Sequence, residues 1–90
     1  MGKKRSKLEI LFDVIEILSK EPVNPTRLSM LVNMPYDRLK KLLDELVDKG
    51  IIGYEEQGRS RVYVLTHRGY RLGEELKKIR KVLEDYGILK

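Results

Sequence analysis

The spacing of apolar residues changes once along this 90-residue chain, at Gly50, and this change limits the folds open to it. Before Gly50 the apolar residues return every three or four positions, as on one face of an α-helix. After it the chain reads IIGYEEQGRSRVYVL, in which Tyr63 and Leu65 alternate with Val62 and Val64. Such alternation is typical of a half-buried β-hairpin. The sequence therefore predicts a mainly α fold with one hairpin, in the α+β class.

The first two helices have clear start signals. Ser6 and Glu9 form a capping box for the first helix, which we expect to run to Lys20. Apolar residues cover more than half of its circumference, so we expect it to pack on two sides. Asn24 is the predicted N-cap of the second helix, with Pro25 at its first position.

The residues N-M-P interrupt the second helix, and their proline, Pro35, opens the third helix, which is predicted over residues 35–49. Gly50 is a suitable C-terminal stop, whereas the sequence leaves open whether Asn33 or Met34 forms the N-cap. Its apolar stripe consists of Leu39, Leu42, Leu43, Leu46 and Val47. Two helices joined by so short a turn form a helix-turn-helix unit.

A last helix is predicted after the hairpin, with Thr66 as its N-cap and Gly87 as its end. Apolar residues recur in it at spacings of four, three, four and three, as in a coiled-coil seam of about two heptads. The seam residues are Leu72, Leu76, Ile79, Leu83 and Tyr86. Val82 widens the strip, and Gly73 marks a close approach or a bend. Because so short a seam cannot stand alone, we expect the first helix to support its base and a second copy of the chain to cover the rest.

The order helix, helix, helix, hairpin, helix is that of a winged helix with a C-terminal extension. We assign residues 1–66 to a winged helix-turn-helix unit with a basic arm at residues 1–5. Residues 67–90 form a C-terminal dimerisation helix that belongs to the same unit.

Three stretches carry a resemblance to a known family: L-D-E-L-V-D-K-G-I-I, Y-V-L-T-H-R-G and the basic start K-K-R-S-K-L-E-I. They resemble the small winged helix-turn-helix DNA-binding proteins of archaea, and the resemblance covers nearly the whole chain. It implies a chromatin-associated protein or a transcription regulator that forms a homodimer through an antiparallel coiled coil. The sequence itself does not decide between parallel and antiparallel pairing.

Positive charge is unevenly distributed along the chain, whose formal net charge is +5. Residues 1–8 carry four basic groups and no acid, and residues 66–90 carry seven basic and four acidic groups. The segment between them is net negative. A basic surface attracts nucleic acid or an acidic membrane, and the total alone does not choose between them.

The third helix of such a fold enters the DNA major groove with its N-terminal end first. Its basic residues Arg38, Lys40 and Lys41 lie in the first half, whereas its acids follow in the second. Tyr36 lies at the edge of the apolar stripe, where it could pack or touch a sugar-phosphate. These four residues are the candidate DNA contacts of the helix; the alternative is that the charges are only solvated.

The hairpin tip, which we call the wing (residues 56–61), supplies the next candidates. They are Arg59, Ser60 and Arg61. On a regular strand the two arginines would share one face, and their planar forks suit a phosphate or a narrow minor groove. The alternative is a tip kept soluble by charge, with Glu55 and Glu56 as cross-strand partners.

Two further elements add basic candidates. Lys3, Lys4 and Arg5 precede the first helix, where an arm could lie along phosphates or act only as a solubility tail. Arg27, in the first turn of the second helix, is a candidate phosphate contact because amides at helix starts favour anions.

Several classes of function are disfavoured. The chain has no cysteine, which removes disulfides and thiolate metal sites, and acids interrupt its longest apolar run. Its single histidine, His67, has no acid beside it and is more typical of a surface position than of catalysis. No glycine-rich phosphate loop is present. We therefore expect no enzyme activity, no cofactor, no small-molecule ligand and no membrane partner.

The sequence favours a cytoplasmic, nucleoid-associated homodimer that binds double-stranded DNA. The alternative is a winged helix used for protein–protein contacts without DNA binding, since the fold alone does not determine the partner. The absence of an exposed aromatic platform argues mildly against specific recognition of single-stranded RNA. No motif in the sequence indicates the target DNA sequence, an effector, or whether the protein activates transcription, represses it or shapes DNA.

Overall fold

The computed structural model describes residues 6–88, and within them four helices and one antiparallel hairpin follow the predicted order. The elements are α1 (Lys7–Lys20), α2 (Pro25–Val32), α3 (Tyr36–Asp48), β1 (Ile52–Gln57), β2 (Ser60–Leu65) and α4 (His67–Asp85). The predicted fold, a mainly helical α+β winged helix, is confirmed.

Three helix starts form as predicted from local hydrogen bonding. The Ser6 hydroxyl accepts from the Glu9 amide at 3.1 Å, and the Ser6 amide donates to Glu9 Oε1 at 2.9 Å, which completes the capping box. Asn24 Oδ1 accepts from the Arg27 amide at 2.8 Å. Thr66 caps α4 in the same way, so each side chain satisfies an amide that the helix leaves free.

The turn between α2 and α3 is closed by Asn33, which adopts a left-handed conformation with φ 56°. The Asn33 amide donates to the Met30 carbonyl at 3.3 Å, and the Met34 amide donates to the Ser29 carbonyl at 3.0 Å. Asn33 therefore ends α2, and the alternatives of Asn33 or Met34 as N-cap of α3 are both wrong. Pro35 occupies that position without a side-chain cap, so α3 begins one residue later than predicted.

The core lies where α1, α2, α3 and the hairpin meet. Its fully buried side chains are Tyr63, Leu28, Leu39, Leu43, Ile52, Val14 and Val32. No charged side chain is buried among residues 6–88. As predicted, α1 packs on more than one side, against α2, β2 and α4, although Leu8 at its start is half exposed.

An isolated β-bridge that the sequence did not predict borders the hairpin. Val23 pairs with Tyr63, with backbone bonds of 2.8 Å from the Tyr63 amide and 3.2 Å from the Val23 amide. This bridge places the start of α2 directly beside β2. The segment E-P-V-N-P is therefore a break between helices that also bonds to the hairpin through Val23.

Close packing of α4 depends on two glycines. A Cβ on Gly73 would lie 2.9 Å from Ile15 Cγ2, so the structure shows the close approach, one of the two alternatives for this residue. A Cβ on Gly69 would overlap the Ile51 carbonyl oxygen and crowd the Leu65 side chain. These glycines therefore allow α4 to contact both α1 and the base of the hairpin.

Gly69→Ala is expected to lower the free energy of unfolding by about 2 kcal/mol or more, because a backbone carbonyl cannot move aside for the added methyl group. Gly73→Ala is the matched change in the same helix. There the Ile15 side chain can shift, and alanine regains about 1 kcal/mol of helix propensity. Urea unfolding of both variants checks this, and equal losses would contradict the assigned clash.

Candidate nucleic-acid interface

The wing closes with a two-residue loop, Gly58 and Arg59, between the paired residues Gln57 and Ser60. Gly58 has φ 63°, a value that a glycine at the first loop position adopts without strain. Arg59 therefore lies in the loop and not on a strand. The prediction that it shares a strand face with Arg61 is wrong for this reason.

Arg61 is held on β2 by two neighbours. Its guanidinium carbon lies 4.0 Å from the centre of the Tyr54 ring, and its Nη2 lies 3.2 Å from Glu56 Oε2. The Tyr63 side chain and then Glu56 raise the pKa of Arg61. Of the two expected cross-strand partners, Glu56 pairs with Arg61, whereas Glu55 lies opposite Val62. Within the described residues Arg59 has no ion-pair partner.

Six of the predicted contact residues line one open cleft, which we call the wing cleft. It lies between the start of α2, the first half of α3 and the wing. The six are Arg27, Tyr36, Lys40, Arg59, Ser60 and Arg61. The remaining lining residues are Asn24, Pro25, Thr26, Met30 and Tyr63. No acidic residue of the described chain lines this cleft, so its surface offers an anion four cationic side chains and no carboxylate.

Lys40 reaches the cleft from α3 while it is paired along its own helix. Its Nζ lies 2.8 Å from Asp44 Oδ1 and 3.0 Å from Oδ2. The hydrogen bond to Asp44 raises the pKa of Lys40. Exposed pairs of this kind contribute little to stability, so a stronger anionic partner can displace Asp44.

The basic residues at the front of α3 do not form one cluster. Arg38 and Lys41 line a second groove on the α1 side of the helix, where Lys7 forms an ion pair with Glu45 at 3.1 Å. Positions two apart on a helix lie on nearly opposite sides, which separates Arg38 from Lys40. The cations of α3 therefore flank both edges of its exposed face.

The predicted seam on α4 divides into two parts. Leu76 belongs to the buried core and Leu72 packs against it, so both are used within the monomer. Beyond them Leu83 is half-buried, whereas Ile79, Val82 and Tyr86 are 52%, 53% and 78% exposed. The second half of α4 thus carries an apolar strip that the described chain does not cover.

The remaining candidate residues provide little evidence about function. Lys3, Lys4 and Arg5 lie outside the described residues. His67 is exposed at the start of α4. Across residues 6–88, no cluster of three His, Asp or Glu side chains is placed to hold a metal ion, and no helix is both long and apolar enough to cross a membrane.

Five residues of the wing cleft were not identified from the sequence, and Pro25 is one of them. Asn24, Thr26 and Met30 reach it from the turn and first helical turns of α2, and Tyr63 reaches it from β2. The alternation on β2 places Tyr63 and Leu65 on one face of the strand, and this is the face that the structure buries. The proximity of β2 to the start of α2 depends on the Val23 bridge, for which the sequence gives no signal.

The helix-turn-helix, the wing and the cleft between them define a winged helix-turn-helix protein. The sequence profile described as winged helix-turn-helix matches residues 4–84, and the chain belongs to this family. A search of curated proteins finds no significant match.

Solved structures share the fold. Sso10a-2, a DNA-binding protein from Sulfolobus solfataricus, is similar with a TM-score of 0.79 and 24% identity, over 91% of this chain and 85% of Sso10a-2. AF1382 from Archaeoglobus fulgidus is similar with a TM-score of 0.71 and 24% identity, over 86% of each chain. The transcriptional repressor CouR, solved with a 23-mer DNA duplex, is similar with a TM-score of 0.69 and 24% identity. That likeness covers 74% of this chain and 50% of CouR.

Proposed function

We propose that this protein binds double-stranded DNA as a transcription regulator or a chromatin-associated protein, and not as an enzyme. The observation that carries the proposal is the wing cleft, where cations from three elements surround a space without a carboxylate. The cations are Arg27, Lys40, Arg59 and Arg61. Phosphate contacts by such side chains supply most of the affinity of DNA-binding proteins.

The charge along α3 sets the proposed orientation on DNA. Arg38, Lys40 and Lys41 lie in its first two turns, where the helix dipole is also positive. The acids Asp44 and Asp48 lie exposed further along. We therefore place the leading end of α3 in the major groove, with the wing on the backbone or in the minor groove. Lys3, Lys4 and Arg5 would add contacts to phosphates along the same duplex.

The similar structures support this reading of the fold. Sso10a-2 is a DNA-binding protein, and CouR was solved on a DNA duplex. Because each is 24% identical to this chain, the argument for DNA rests on the residues of the wing cleft and not on these likenesses.

We also propose that two copies pair through the exposed half of α4. Its strip of Ile79, Val82 and Tyr86 continues the seam whose first residues pack inside the monomer, with Leu83 at its edge. Pairing would link two winged helices through a rigid spacer. If both face one duplex, they read a palindromic site as a regulator does; if they point apart, they bridge two duplexes as a chromatin protein does.

Nuclear magnetic resonance titration tests the proposed surface directly. Addition of a duplex of about 30 base pairs, long enough for two half-sites one helical turn apart, is expected to shift the amide signals of residues 24–27, 36–41 and 56–61. Signals from the α1 face opposite the wing should not move. Shifts confined to α4, or no shifts at low salt, would contradict the proposal and favour a protein partner.

Glu56→Gln is expected to tighten duplex binding by roughly threefold, because it frees Arg61 from an exposed ion pair and removes a charge that repels phosphate. Glu55→Gln is the matched control, with the same loss of charge at the adjacent residue of β1, opposite Val62 and away from Arg61. Fluorescence anisotropy with a labelled duplex measures both. Equal effects of the two variants would show that only the net charge matters.

A further inference from the structure

The Tyr63 hydroxyl is a buried polar group without a hydrogen-bond partner in the described chain. The residue as a whole is 1% exposed. Its backbone is held by the Val23 bridge, and its ring lies edge-on to Tyr54 with centres 6.0 Å apart. Native proteins rarely leave a buried hydroxyl unsatisfied, so such a group calls for a specific explanation.

The groups nearest this hydroxyl can only donate hydrogen bonds. The Tyr63 side chain is close enough to be the largest cause of the raised pKa of Arg61 and to contribute to the raised pKa of Lys40. An ammonium and a guanidinium have no acceptor atom, so neither Lys40 nor Arg61 can accept a hydrogen bond from the Tyr63 hydroxyl. What this part of the wing cleft lacks is an acceptor.

The start of α2 adds a further donor at the same place. Pro25 has no amide hydrogen, the Arg27 amide donates to the Asn24 side chain and the Leu28 amide donates to the Asn24 carbonyl. Thr26 lines the cleft, and its amide is among the first amides of α2, which have no acceptor within the helix. A group that accepts several hydrogen bonds and carries negative charge fits these donors.

We infer that the wing cleft holds one phosphate of the DNA backbone, which accepts a hydrogen bond from the Tyr63 hydroxyl between Lys40 and Arg61. This inference rests on the proposed function and deepens it by assigning a neutral contact residue inside the cleft. Lys40 and Arg61 have side chains that are 35% and 36% exposed and are held by surface ion pairs. They can therefore shift to admit the phosphate at small cost.

Tyr63→Phe tests the inference, because it keeps the ring and removes only the hydroxyl. Duplex binding is expected to weaken by about tenfold or more, the effect of losing a hydrogen bond to a charged group. The slope of log affinity against log salt should stay unchanged, since no charge is lost. The melting temperature of the free protein should stay equal or rise, because the hydroxyl has no partner there.

Tyr70→Phe is the matched control: it removes a hydroxyl from a tyrosine on α4 that does not line the cleft. Its duplex affinity should equal that of the wild type. Wild-type affinity in Tyr63→Phe would overturn the inference, and so would a loss of binding that accompanies a lower melting temperature. If the wild-type protein binds no duplex, the proposed function itself fails; if it binds and the two tyrosine variants match it, only the phosphate site fails.

Discussion

Replacing Arg59 and Arg61 together with alanine is expected to weaken duplex binding on the order of 100-fold at low salt, because two charge-assisted contacts are lost. Each lost phosphate contact should also reduce the salt slope by about 0.9. Arg59 projects from the loop of the wing without an ion-pair partner among the described residues, and Arg61 is held in place by Tyr54 and Glu56. Fluorescence anisotropy across a salt series measures both quantities.

The control for this pair is Lys77→Ala with Lys78→Ala, which removes the same charge from α4. Their side chains are 73% and 72% exposed and lie outside the wing cleft. The control variant should retain nearly all of the wild-type affinity. If both double variants lose affinity to the same extent, the effect is one of net charge, and the wing has no special role.

Replacing Ile79 and Val82 with glutamate is expected to convert a dimer into a folded monomer. Both side chains are more than half exposed in the monomer, so new charges there should not disturb the core. Leu76 is unsuitable for this test because it belongs to the core. Sedimentation equilibrium should give twice the 10.6 kDa chain mass for the wild type and the chain mass for the variant. Duplex affinity should fall strongly as well, because two linked sites bind more tightly than one.

Lys77→Glu with Lys78→Glu is the control for the dimer, since it places two carboxylates on the preceding turn outside the apolar strip. It should remain a dimer. If the variant with glutamate in place of Ile79 and Val82 remains a dimer, the dimer contact lies elsewhere. If the wild type is a monomer, α4 has no role in assembly.

Features set by local chemistry were predictable from the sequence. The caps at Ser6, Asn24 and Thr66 each depend on a side chain that binds an amide three residues on. The hairpin required only alternation and a glycine at its tip. The helix-turn-helix order also follows from the local spacing of apolar residues, so it could be predicted without a structure.

Features that depend on contacts between distant segments were not predictable. Asparagine suits an N-cap, which makes Asn33 a candidate for that role in α3, but the backbone closes α2 there in a left-handed conformation. The bridge from Val23 to Tyr63 joins residues 40 positions apart and brings α2 to the wing. The unpaired hydroxyl of Tyr63 becomes visible only once its ring is placed between the cations of α3 and β2.

The central claim is most directly tested by anisotropy with a random-sequence duplex of about 30 base pairs, repeated across a salt series. Four cationic side chains line the wing cleft, and further cations flank α3. We therefore predict a log–log slope of about −4 or steeper, near −0.9 for each phosphate contacted. Tight binding of this duplex at physiological salt would favour a chromatin role, whereas a collapse of binding there would favour a regulator with a specific site. No binding at low salt would contradict the assignment of DNA as the partner.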